Sequence, residues 1–344
     1  MRIHERIQAF DALGRHFRDQ ESVEISQLIE DASLSNPWFT PDNVRRSLTA
    51  LAQLLEVEKL NNWIAPYGFD EDLNKEVGLV FAGNIPLVGF QDLLAVLGAG
   101  FRAQVKLSTQ DQVLTNYVIR QLITLAPAFS DRIRIVDRLQ HFDLVIATGS
   151  DNSARYFEYY FGKFPHIIRK NRNSVAILSG TETINDLNLL GNDIFSYFGL
   201  GCRNVSKLYL PRGYDVALFF EGIADYQYIQ DHYKYTNNYD FNKSLYLING
   251  DSHFDNGFVL LKPAVSLTSP LATIHFEEYD STAHLQELIN ESAQSIQCVV
   301  ADRSKASDLE IQVPIVPFGQ SQYPGLEDYA DNVNTLAFLA ENKA

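Results

Sequence analysis

The segment "FGLGCRN" places one of only two cysteines, Cys202, directly after the glycines Gly199 and Gly201. A thiol is the best nucleophile a side chain offers near neutral pH, and it exchanges readily with thioesters. Glycines there permit backbone angles closed to other residues and let a ligand approach closely. The same pattern also suits a small apolar residue buried in a helix-to-strand turn, and both readings stand at this point. A hydrolase thiol needs a histidine partner, and none of the eight histidines lies in a recognisable partner motif. The other cysteine, Cys298 in "SIQCVVAD", sits in a strand-like apolar run and reads as core.

Three further polar positions stand at the ends of apolar runs. In "FAGNIPLVGF" Asn84 follows a strand, where its amide can serve as an oxyanion donor or simply cap the next helix. In "QVKLSTQD" Lys106 ends a strand, fit either for a ribose or phosphate or for plain solvent. In "VIATGSDNSARYF" Gly149 and Ser150 turn the chain from strand to helix. There the helix N-terminus can seat a pyrophosphate, or the turn is an ordinary capped one. No Gly-x-Gly-x-x-Gly fingerprint is present, because "GAGF" follows a helix and precedes a strand. "GDSHFDNGF" reads as a hairpin-like loop, and no metal-ligand spacing occurs.

The elements that must carry these residues follow from periodicity. Residues 1–65 read as helical: Ile3, Ile7, Phe10, Leu13 and Phe17 recur at steps of three and four, and Thr40 and Pro41 open a later helix. From Val77 onward strand and helix patterns alternate, with a helix expected from Pro86. This predicts an α/β protein of two doubly wound, mostly parallel domains behind an N-terminal helical segment. The expected divisions are residues 1–65, helical; 66–172, nucleotide-cofactor binding; 173–325, catalytic; and 326–344, a tail packing back. "IIRKNRNS", with Arg169, Lys170 and Arg172, reads as a solvated crossing between the domains or as an attractor of phosphates.

Composition sets the outer bounds. With 344 residues, 46% of them hydrophobic, the chain can bury substantial cores. A net charge of -15 argues against nucleic-acid and membrane-surface binding, both of which need a basic field. No apolar run reaches membrane-span length and the N-terminus lacks a signal-peptide core, so a cytoplasmic location is expected.

Taken in order, residues 77–340 resemble the aldehyde dehydrogenase superfamily. The Asn of "GNIPLV" is similar to its oxyanion asparagine, "VKLS" to its lysine for the adenosine ribose, and "ATGS" to its pyrophosphate turn. "FGLGC" is similar to its nucleophile segment and "VPFG" to its late Pro-Phe-Gly motif. The resemblance implies catalytic roles for Cys202 and Asn84, cofactor contacts at Lys106, Ser108, Gly149 and Ser150, and no metal. Within the superfamily, "FSYFGLGCRNVSKLYLP" and "PFGQSQYPGLEDYADNVNTLAFL" resemble most the LuxC-like acyl-CoA reductases of bacterial bioluminescence.

Two departures from the superfamily pattern bear on the reaction. Hydrolytic members carry a glutamate base in a Glu-Leu-Gly-Gly-Lys segment, where this chain has "RKNRNS" with Arg169 near the glutamate position. Without that base a thioester on Cys202 persists for reduction. The family's glutamate for the nicotinamide ribose also has no match around "SLTSPLATI". After Lys106 the chain reads Ser108-Thr109-Gln110, with no acid to repel a 2′-phosphate, which favours NADPH over NADH. The expected activity is therefore NAD(P)H-dependent reduction of fatty acyl-CoA to aldehyde through an acyl-cysteine. The rivals are a non-redox acyl-holding partner and a catalytically silent scaffold. Implied partners are an acyl-CoA or other acyl thioester, an acyl-protein synthetase and, by resemblance, further copies of the chain. Tyr226, Tyr228, Tyr233, Tyr235 and Tyr239 either line an acyl tunnel or serve packing.

Overall fold

Four helices open the chain, as the apolar spacing requires: Ile3–Arg18, Val23–Ser35, Pro41–Leu54 and Val57–Ile64. In the first, Phe10, Leu13 and Phe17 are wholly buried on one face. Thr40 caps the third, its Oγ1 accepting from the Asn43 amide at 3.4 Å, with Pro41 at the first helical position. The computed structural model describes residues 1–306 and 308–344. They form two units, Met1–Asn171 with Gly325–Ala344, and Arg172–Pro324.

The first unit is built on five parallel strands: β1 (Glu76–Val80), β2 (Arg102–Lys106), β3 (Ile133–Ile135), β4 (Leu144–Thr148) and β5 (His166–Arg169). Their order is β3-β2-β1-β4-β5. The chain winds outward one way from β1 and then returns to build the other half, so the order reverses between β1 and β4. At such a switch point the loops leaving neighbouring strands diverge and open a crevice at their carboxyl ends. Asn84 follows β1 and Gly149-Ser150 follow β4, so both stand at that reversal, with Lys106 at the end of β2 beside them.

The second unit holds β6 (Asn173–Ile177), β7 (Val205–Pro211), β8 (Phe254–Asp255), β9 (Leu260–Pro263), β10 (Thr273–Tyr279), β11 (Ile296–Val300) and β12 (Ile315–Val316). Their order is β12-β11-β6-β7-β10-β9-β8, parallel except for the β8–β9 hairpin. That hairpin is the "GDSHFDNGF" turn. Helices Ile184–Phe195, Val216–Gly222, Tyr233–Asn249 and Thr282–Glu291 belong to this unit. The α/β architecture with two wound sheets is the one expected.

Two local expectations are corrected. The helix after Asn84 starts at Phe90, not Pro86, because Leu87 adopts a left-handed φ of 59° that no helix continues through. Arg169 lies in no solvated crossing: it ends β5 buried, with Nη1 paired to Asp92 and Nη2 donating to Thr335 Oγ1 at 3.0 Å. Its charge is thus engaged and not offered to a phosphate. The tyrosine-rich middle forms the long helix Tyr233–Asn249, whose buried face is Tyr235, Tyr239, Asn242 and Tyr246.

Candidate active site

Cys202 sits half-buried in the turn between helix Ile184–Phe195 and β7. Three residues in succession before it, Tyr197, Phe198 and Gly199, are left-handed, with φ of 51°, 59° and 79°. Glycine takes that conformation without strain, whereas a side chain there costs about 1–2 kcal/mol. The surrounding structure must therefore over-determine the turn. Part of the restraint is aromatic. The Phe198 ring lies 4.3 Å from His232 and 6.3 Å from Tyr235, centroid to centroid.

Behind the turn, Tyr226 stacks on Phe195 at 5.2 Å and donates to the Asn188 carbonyl at 3.0 Å. Gly191 makes room for that ring, since a Cβ there would lie 2.2 Å from it. Tyr239 is buried and donates to Asp255 at 2.5 Å. Tyr235 and Tyr239 are buried and Tyr226 half-buried, while Tyr228 and Tyr233 are exposed.

The backbone of Cys202 is pinned from β6. Its carbonyl accepts from Ser174 Oγ at 3.0 Å, and the same hydroxyl lies 3.2 Å from Cys298 Sγ. Cys298 is wholly buried in β11, and burial pushes its thiol up from the ordinary range, as suits the core residue expected there. The "PFG" segment is tied to the same helix. Asp193 accepts from the Gly319 amide at 2.6 Å and the Ser321 amide at 2.9 Å. Burial pushes that carboxyl up to about 6, against the pull of these donors.

In the first unit Asn84 is exposed in the loop leaving β1, and Lys106 is exposed at the end of β2. The two loops touch. A Cβ on Gly83 would stand 2.4 Å from Ser108 Oγ, so only glycine fits before Asn84. Asp111, buried at the start of helix Gln112–Leu125, reaches across as well. Its Oδ2 accepts from the Leu87 amide at 2.8 Å and from Thr115 Oγ1 at 3.2 Å, and burial pushes its carboxyl up to about 7. Ser47 Oγ donates to the Pro86 carbonyl at 3.1 Å from the other side.

Ser150, expected as a phosphate donor, is the N-cap of helix Asp151–Phe161, accepting from the Ser153 amide at 3.3 Å. Gly149 is confined: a Cβ there would lie 2.8 Å from Ser153 Cβ and 2.9 Å from the Phe157 ring. Gly149 thus has no room for a side chain before this helix, whose first turn carries Asp151, and Lys106 is exposed at the end of the next-but-one strand. Among the described residues no three histidine, cysteine, aspartate or glutamate side chains come together to hold a metal. Nor, among them, is any helix long and apolar enough to cross a membrane.

No motif pointed to Asp111, Asp193, Ser174 or Asn204. The available signal was a polar residue on an otherwise apolar helix face in "NDIF", and an asparagine two residues after the thiol.

The fold is that of the aldehyde dehydrogenases. A putative aldehyde dehydrogenase from Burkholderia cenocepacia superposes with a TM-score of 0.72 at 14% identity, over 95% of this chain and 80% of that one. An aldehyde dehydrogenase from Physcomitrella patens, in complex with the reaction product succinate, gives 0.71 at 12% identity, over 100% and 85%. An aldehyde dehydrogenase mutant from Pseudomonas syringae, complexed with NAD+ and octanal, gives 0.67 at 12% identity, over 92% and 77%. No protein-family model matches the sequence. No curated protein matches it either.

Proposed function

We propose that the protein is an NAD(P)H-dependent acyl-CoA reductase of the LuxC-like kind, releasing fatty aldehyde through an acyl group on Cys202. The observation that carries this reading is the pairing of two features. Cys202, a half-buried residue, follows a turn with left-handed backbone at Tyr197, Phe198 and Gly199. The position that resembles the hydrolytic glutamate is held by Arg169, buried and engaged with Asp92. A thiol without a base to activate water favours a persistent thioester over hydrolysis to acid.

Cys202, as thiolate, attacks the acyl carbon. The new S–C bond forms, the C–S bond to coenzyme A breaks, and coenzyme A leaves with the proton Cys202 gave up. Asn84 donates to the oxyanion in this scheme, as its counterpart does in the family it resembles. Lys106 and Ser108 hold the ribose end of the dinucleotide and Gly149-Ser150 its pyrophosphate. The absence of an acid at Ser108-Thr109-Gln110 favours NADPH. When bound, the nicotinamide supplies the hydride that brings the acyl carbon to aldehyde level. Cys202 then departs and regains its proton.

Incubation with acyl-CoA, followed by intact-mass measurement with and without NADPH, tests the reading. Wild type should gain one acyl mass that disappears, with aldehyde formed, only when NADPH is added. Cys202→Ala should gain none and make no aldehyde. Aldehyde production by that variant at the wild-type rate refutes the covalent route. An acyl label indifferent to NADPH favours a non-redox acyl holder instead. Coenzyme A, a carrier protein or an acyl-protein synthetase can each present the thioester, and parallel incubations rank them.

A further inference from the structure

The carboxamide of Asn204 joins both ends of the segment that carries Cys202. Its Nδ2 reaches the carbonyls of Asp193 at 3.1 Å, Ile194 at 3.2 Å and Ser196 at 2.8 Å. These oxygens belong to the last turn of helix Ile184–Phe195 and the residue after it, where helical carbonyls have no intrahelical donor. Its Oδ1 accepts from the Gly201 amide at 2.8 Å. Asn204 itself is 3% exposed. One planar group therefore fixes where the helix ends and where the chain stands one residue before the thiol. The chain between runs through left-handed backbone at Tyr197, Phe198 and Gly199.

The other side of the thiol is held too. The Asn204 amide returns to the Gly201 carbonyl at 3.0 Å, and the Ser174 amide meets the Asn204 carbonyl at 3.4 Å. Together with Ser174 Oγ on the Cys202 carbonyl, this brackets the backbone before, at and after Cys202.

We infer that Asn204, seconded by Ser174, is a positioning residue that sets the place of the Cys202 thiol by clamping the strained turn between a helix end and β6. It deepens the reading of Cys202 as the nucleophile and rests on it for its purpose, though not for its test. A buried amide with several partners on strained backbone is a costly arrangement to keep for stability alone, because an apolar side chain on a relaxed turn stabilises as well. What the amide adds is a single backbone geometry.

The test reads the thiol without any acyl donor. Cys202 is alkylated with iodoacetamide from pH 6 to pH 10 and followed by peptide mass spectrometry. Wild type, Asn204→Ala and Ser174→Ala are compared well below the measured Tm of each. In Asn204→Ala the midpoint of the pH profile should move by roughly half a unit or more, since thiolate stability follows the dipoles and charges around the sulfur. Ser174→Ala should move it less, in the same direction. A purely structural amide lowers Tm and leaves the midpoint in place, so a superimposable Asn204→Ala profile overturns the inference. If Asn204→Ala does not fold, Ser174→Ala decides alone, and an unmoved midpoint there overturns it equally. Since alkylation needs neither thioester nor dinucleotide, failure of the acyl-reductase reading leaves this result intact.

Discussion

At the scale of single residues, buried carboxyls do more of the positioning than the motif residues themselves. Asp111 holds Leu87 in the loop of Asn84, and Asp193 holds the Gly319–Ser321 loop against the helix that leads to Cys202. Both are protonated more easily folded than unfolded, Asp111 with a value of about 7 and Asp193 of about 6 against an ordinary 3.8. A raised carboxyl makes its full contribution below the unfolded value and loses it as pH climbs through the folded one. Stability should accordingly fall between about pH 4 and pH 7 on account of Asp111. Asp111→Asn keeps an acceptor for the Leu87 amide and removes the titration. Its Tm relative to wild type should rise steadily from pH 4 to pH 8, by several degrees in all. Parallel curves for the two proteins would show that Asp111 is not titrating in the fold. None of this was readable in advance, because aspartates beside helix starts usually cap in solvent. Only the fold reveals that this one is enclosed.

At the scale of elements, what was legible follows from burial. The central strands β1, β4 and β11 lie inside parallel sheets and read as mainly apolar runs, whereas β2 and β10, also central, alternate apolar with polar residues. The edge strands β3 and β5, "IRI" and "HIIR", are short and half polar, and periodicity misses them. Likewise the proline rule put a helix start at Pro86, where a leucine at positive φ takes precedence.

Helix Ile184–Phe195 illustrates the reverse, a correctly expected element whose packing sequence could not supply. It meets helix Val216–Gly222 so closely that a Cβ on Gly222 would stand 2.2 Å from Leu187 Cβ. That neighbour is the root of a side chain and cannot swing aside. Gly222→Ala should therefore cost about 1–3 kcal/mol by overpacking, even though alanine is the better helix former. The midpoint of urea unfolding measures it, and an unchanged or raised midpoint would mean that the helices separate freely.

At the scale of the whole molecule, the chain makes one unit from its two ends and the other from its middle. The last twenty residues are structural members of the first unit. Tyr329 accepts from Trp63 Nε1 at 2.8 Å, Thr335 accepts from Arg169, and Leu326, Leu336 and Leu339 join the core around Trp63 and Phe101. Burying a large apolar side chain is worth about 1.5–3 kcal/mol, so these three leucines and Tyr329 supply on the order of 6–12 kcal/mol. Net stabilities of roughly 5–15 kcal/mol leave little once that is removed. Residues 1–171 expressed alone should then be unfolded or molten, with weak near-UV circular dichroism, while residues 172–324, which keep their whole sheet, should unfold cooperatively in urea. Adding residues 325–344 to the first fragment as a separate peptide should restore its cooperative transition, because the contacts it replaces need no covalent connection. A first fragment that unfolds cooperatively without the peptide would mean the tail decorates a core already complete. The same enclosure explains why Arg169 cannot simply be exchanged for a glutamate base. A second carboxylate buried against Asp92, with Thr335 facing it, would face like charge in a site that burial has already made costly for ions. Arg169→Glu should therefore fail to accumulate as folded protein, whereas Arg169→Lys, which keeps the charge opposite Asp92, should fold with a lowered Tm.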